Sequence, residues 1–128
     1  MSSGFQDEFK NFITDEVSKE LEFEQNIDAV IYRFQNVLDS FQYINNNENL
    51  VKDLLTDLNK KVENYKQKSA HTDEDRKRMV QALSYFLGTR LPGCLTEHQK
   101  KLLAAPTLQF TKTFKPYLDE ISRTSYRF

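Results

Sequence analysis

Apolar residues recur along this chain at spacings of three and four, the pattern of amphipathic helices. The first stripe is Phe5, Phe9, Phe12, Ile13, Val17 and Leu21, with Asp7, Glu8, Asp15, Glu16 and Glu20 among or beside it. It predicts a helix over about 5–21 with an acidic outer face, and acids in its first turn suit the positive end of the helix dipole. The second and most regular stripe is Ile27, Val30, Ile31, Phe34, Val37, Leu38, Phe41 and Ile44. The two stripes are out of phase across Glu22-Phe23-Glu24, which predicts a bend or short break there; one long kinked helix is the alternative. Asn45-Asn46-Asn47-Glu48-Asn49 then interrupts the pattern, and asparagine favours turns and caps. A third stripe, Leu50, Val51, Leu54, Leu55, Leu58, Val62 and Tyr65, follows. Residues 25–44 and 50–67 are therefore expected to form an antiparallel helical hairpin.

The second half is punctuated more finely. Thr72 and Asp75 have the spacing of a capping box that opens a helix, with Met79, Val80, Leu83, Phe86 and Leu87 on its buried face and Gly88 placed to cap its end. Pro92-Gly93 reads as a turn, and Thr96 with Gln99 forms a second capping box. The helix it starts must stop before Pro106, because proline disfavours the α region in the residue before it. Residues 107–124 fit either one helix kinked at Pro116 or two helices. The expected fold is all-α, a single compact bundle of five or six helices built around the hairpin, with one domain spanning 1–128.

Composition agrees with that expectation. With 3 Gly and 3 Pro in 128 residues, a many-turned β-sandwich or barrel lacks its turn residues. The lone cysteine, Cys94, can form no intrachain disulfide. No apolar run approaches the roughly 18–20 residues of a membrane span, and the acidic start lacks the basic and apolar regions of a signal peptide. The expectation is a cytoplasmic protein without a membrane span.

Charge changes the picture when it is split by position. The formal net charge is −1, yet residues 1–75 carry 16 acids against 8 Lys or Arg, and residues 76–128 carry 3 acids against 10. Such a split has three readings: acidic and basic helices interleaved within one bundle, a dipolar surface for a charged partner or a second copy, or a basic half that binds nucleic acid or acidic lipid. The third would centre on Arg76-Lys77-Arg78 or on Lys100, Lys101, Lys112 and Lys115. No run reaches the five to eight cations of a polybasic patch, so nucleic acid is the least favoured partner.

Candidate chemistry is sparse. His71, His98 and Cys94 are the only nitrogen or sulfur ligands and share no metal-binding spacing. Glu20, Glu24 and Asp28 follow one another at i, i+4 and i+8 and read as a solvated stripe. No glycine-rich phosphate loop is present; Gly88-Thr89-Arg90 reads as a helix cap followed by a surface arginine. Cys94 with Glu97 and His98 is the one nucleophile–base constellation, and its spacing does not force contact. No catalytic residue, metal or cofactor is therefore assigned.

Ten Phe and six Tyr remain. Most lie on the stripes, but Phe23, Tyr43, Tyr126 and Phe128 fit them poorly. With Arg76, Lys77 and Arg78 they are the candidate partner-binding residues. The leading expectation is a non-enzymatic protein–protein interaction module, an adaptor or regulatory subunit that uses a helical surface or groove and is open to self-association. The alternatives are a helical carrier of a fatty acid or other apolar ligand, and nucleic-acid binding through the basic C-terminal half.

Overall fold

The computed structural model describes residues 3–43 and 46–125, which form six α-helices and no strand. They are α1 (Ser3–Asp39), α2 (Asn47–Gln67), α3 (Asp73–Tyr85), α4 (Glu97–Leu102), α5 (Ala104–Thr113) and α6 (Lys115–Ser125). A single π turn (Phe86–Arg90) and a 3-10 turn (Pro92–Cys94) join α3 to α4.

The first stripe, and the second as far as Leu38, lie on one uninterrupted helix of 37 residues that ends at Asp39, short of the expected 44. The expected break at 22–24 is therefore absent. Phe23 explains why. It is buried at 5% exposure and begins the inner face that continues through Ile27, Val30, Phe34 and Leu38. Val17 and Leu21, the described apolar members of the first stripe, are exposed at 60% and 54%. Leu21 lies about 200° around the helix from Phe23, because each residue advances the helix by about 100°. The change of phase therefore marks a change of buried face, with the backbone unbroken.

The hairpin is formed by the C-terminal part of α1 and by α2. Tyr65 hydrogen-bonds Glu20 and Lys66 pairs with Asp28, both near the end of α2 remote from the connection through residues 40–46. The two helices therefore run antiparallel. α1 extends well beyond the level of Glu20 because it is much longer than α2.

The remaining helices close over this pair. Phe23 meets the rings of Tyr65 from α2, Phe114 from the α5–α6 junction and Tyr117 from α6, at centroid distances of 5.8, 5.8 and 5.4 Å. Val80, Leu83 and Leu91 are completely buried and join one core with the inner face of α1.

Local sequence signals set the helix starts. Both capping boxes form: Thr72 accepts from the Asp75 N–H and Asp75 accepts in return, and Thr96 and Gln99 do the same. Gln99 also donates to the carbonyl of Gln42 and ties α4 to the chain leaving α1. α4 ends at Leu102, before Pro106, but Pro106 does not end it: Ala105, the residue before the proline, is itself helical in α5. Pro106 itself sits in the first turn of α5, where its missing N–H leaves no helical bond unmade. Residues 107–124 resolve into two helices separated at Phe114, with Pro116 in the first turn of α6. Gly88 does not cap α3. It lies inside the π turn, closed by the Leu91 N–H bonding the Phe86 carbonyl at 2.8 Å.

Two outcomes test this account. Phe23→Ala removes a ring from a four-ring cluster and should lower unfolding free energy by about 3–5 kcal/mol in denaturant titration; a loss below about 1 kcal/mol would mean that the ring is not core. The Asp75 carboxyl is held down at about 2, against an ordinary 3.8, by the Thr72 N–H and then by Lys68. A depressed folded pKa gives stability that is complete above the ordinary value and lost as pH falls through the folded one. Acid unfolding of Asp75→Asn, followed by circular dichroism, should therefore show a shallower dependence between pH 4 and 2 than the parent.

Candidate functional site

Two features stand out: a buried polar cluster where α1, α2 and α3 meet, and an apolar groove beside the π turn.

The cluster is organised by Glu20. Its carboxylate accepts from Tyr65 Oη at 2.9 Å and Arg76 Nη1 at 2.7 Å, and lies 2.7 Å from His71 Nδ1. Arg76 also binds Asp73 through Nη2, while its Nε is buried without a protein acceptor among the described residues. The His71 ring stacks on Tyr65 at 4.0 Å, and its Nε2 meets the Tyr65 carbonyl. Burial opposes the charge on Arg76, but hydrogen bonds to Asp73 and Glu20 outweigh it and raise its pKa above the ordinary value. The Tyr65 phenol is pushed far up by burial and by its bond to Glu20, and Asp73 is lowered by Arg76.

This arrangement corrects several expectations. Arg76 is buried at 5% exposure and Phe23 belongs to the core, so neither is a surface contact. Lys77 is half-buried beside Glu120 at 3.2 Å, and Arg78 is exposed with Glu74 at 3.8 Å. The three cations therefore do not form one basic face. Tyr43 is half-buried, donates to the Leu38 carbonyl at 3.1 Å and packs on Phe41; burial, then Asp39 and Glu48, raises its pKa. Tyr126 and Phe128 lie outside the described residues. Glu20, Glu24 and Asp28 are not a uniform solvated stripe: Glu20 is engaged in the cluster, Glu24 is half-buried, and Asp28 pairs with Lys66. Cys94, Glu97 and His98 are not brought together. The thiol faces the Arg90 carbonyl at 3.9 Å, Glu97 pairs with Lys100, and His98 is exposed.

The groove, about 480 Å³, lies between the π and 3-10 turns on one side and α4–α5 on the other. One wall is a single face of α5, where Ala104, Thr107, Leu108 and Thr111 recur at helical spacing. The opposite face of the same helix carries Pro106 and Phe110 into the core. Thr107 and Thr111 bond their hydroxyls to the carbonyls of Leu103 and Thr107, so the wall offers few free polar groups. Leu87, Pro92 and Leu95 line the other side. Gly88 lines the groove as well, and a Cβ added there would meet nothing within 4 Å. π turns are frequent at functional sites, which gives this one added weight.

A larger cleft of about 590 Å³ near α6 is lined mainly by charged groups. Among them Lys19 pairs with Asp73 and Lys77 with Glu120, so the cleft offers less unengaged polarity than its size implies. Sequence reading missed both features. His71 is 51 positions from Glu20, and the groove draws on four short elements whose signals are only local. No protein-family model, curated protein or solved structure matches the chain.

The cluster generates a contrast between neighbours. Arg76→Ala removes the buried guanidinium that joins Glu20 to Asp73 and should cost about 3 kcal/mol of stability, at the low end for breaking a buried ion pair because Glu20 keeps Tyr65, His71 and some solvent. Arg78→Ala should stay within about 0.5 kcal/mol. Equal effects in urea unfolding would contradict the burial of Arg76.

Proposed function

We propose that the protein is a non-enzymatic interaction module that receives an acidic amphipathic helix of a partner protein in the groove beside the π turn. The supporting observation is an apolar groove opened by Gly88 and bordered by cationic helices. Its volume lies within the ~300–1,000 Å³ typical of ligand pockets, and Leu108 on its wall is 55% exposed. Helix-in-groove recognition uses apolar side chains at i, i+3 or i+4, and i+7, a spacing that a trough along one face of α5 can match.

Charge selects the occupant. α4 and α5 together carry Lys100, Lys101 and Lys112 against the single acid Glu97. Lys100 lines the groove, and Lys101 and Lys112 have no ion-pair partner among the described residues. A helix with an acidic outer face would meet these lysines with its charges while its apolar side chains fill the trough. Such charges chiefly raise association rate and specificity.

The test is direct binding of fluorescent 20-residue helical peptides, one with leucines at helical spacing and glutamates elsewhere, the other with lysines in place of the glutamates. The acidic peptide should bind with Kd of about 1–100 μM, more weakly as salt is raised, and Gly88→Leu should reduce affinity at least about tenfold by filling the trough. Equal binding of both peptides, or binding indifferent to Gly88→Leu, would overturn the proposal. A co-purifying fatty acid displaced by Gly88→Leu would favour the carrier reading instead. Tight, salt-sensitive binding of oligonucleotides would favour the nucleic-acid one.

A further inference from the structure

The cluster at the α1–α2–α3 junction contains a contact that requires a positive charge. His71 Nε2 faces the Tyr65 carbonyl, which can only accept, so Nε2 carries a hydrogen. His71 Nδ1 lies 2.7 Å from Glu20 Oε1. In a neutral ring with Nε2 protonated, Nδ1 presents a lone pair, and two lone pairs do not rest that close with nothing between them. A proton relieves that contact as it stands; a metal ion relieves it once the two atoms part far enough for each to make a bond of about 2.0–2.2 Å to the ion.

Three further observations favour a metal. Glu24 stands one helical turn beyond Glu20, and ligand atoms of Glu20, Glu24 and His71 all lie within 4.8 Å of one another. The outer contacts are those of metal-binding histidines and carboxylates, in which the second ring nitrogen is held by a carbonyl and the carboxylate is itself hydrogen-bonded. Here Tyr65 holds the ring by its carbonyl and by stacking, and Arg76 holds the far oxygen of Glu20. Charge also allows it: the carboxylates of Glu20, Glu24 and Asp73 outnumber the one buried cation, Arg76.

We propose that Glu20, Glu24 and His71 bind one zinc-class divalent cation between α1 and the α2–α3 connection. A nitrogen and two carboxylates suit zinc-class ions, whereas magnesium and calcium prefer all-oxygen sites. Three protein ligands leave a fourth position for water. The ion would fasten α1 to the α2–α3 connection at a point where the backbone alone makes no link.

The experiment uses the full chain with Cys94→Ser, which removes the only thiol, after chelation and dialysis. Zinc is titrated by calorimetry at pH 7.5, and thermal unfolding is followed by circular dichroism. One equivalent should bind with Kd of about 10 μM or tighter, and Tm should rise by several degrees at about 100 Kd. Glu24→Gln leaves the His71–Glu20–Arg76 contacts in place and should weaken binding at least about tenfold. His71→Asn should do the same, while His98→Asn should leave binding unchanged. Absence of saturable binding, binding indifferent to Glu24→Gln, or binding lost with His98→Asn would each overturn the proposal. In the first two cases a proton is the occupant. Gly88→Leu should not alter zinc affinity, so the result is independent of the groove.

Discussion

The guanidinium of Arg76 lies below the surface where three helices converge, and a buried charge is tolerated only with its partners in place. Those partners are far apart in sequence: Glu20 belongs to the middle of α1 and Asp73 to the first turn of α3. Their geometry fixes how α3 crosses α1. Glu20 also accepts from Tyr65, which brings in the end of α2. One turn along α1, Phe23 meets rings from α2, from α6 and from the α5–α6 junction. The polar and aromatic clusters are thus neighbours on one helix. The first supplies direction, because hydrogen bonds are geometrically strict, and the second supplies most of the burial.

What could be read from the sequence was what depends on neighbouring residues. Thr72 with Asp75 and Thr96 with Gln99 need only three residues' spacing to satisfy orphan N–H groups, and both formed where expected. Hydrophobic spacing likewise located the inner face of α1 from Ile27 onward and α2 from residue 50 onward, while the first residues of α2, 47–49, fall in the stretch that reads as a turn. Errors arose where a residue's environment is set by distant chain. Phe23 is out of phase with the stripe before it, which suggests a surface ring, although it begins the inner face that follows. Arg76 sits in a run of three cations that looks like a solvated face; only the arrival of Glu20 makes burial possible. Gly88 carried a cap signal, but Leu91 is fully buried, and a wider turn carries the chain from α3 to that position.

The site was less legible than the fold for the same reason. α5 has two apolar faces, and a sequence pattern read for one buried face sees them as noise. Phe110 and Pro106 face the core, while Ala104 and Leu108 face the groove. Thr107 and Thr111 on the groove side lower helix propensity. Their hydroxyls bond back to the helix, and this suits them to an apolar wall.

The charge split resolves in the same terms. Acids of the first half meet cations of the second inside the molecule: Glu20 with Arg76, and Asp57 with Arg90 at 2.8 Å, which lowers the Asp57 pKa. Lys77 and Lys115 are answered by Glu120 and Asp119 of α6. Each such pair removes a cation from the surface available to a partner. Among the described residues, Lys101 on α4 and Lys112 on α5 are left without an ion pair, and both belong to helices that wall the groove. A split that suggested a broad basic half thus narrows, among the described residues, to two unpaired lysines on the helices that wall one apolar trough. A small positive edge discriminates between helices by the sign of their outer face, whereas a broad basic surface would attract any polyanion.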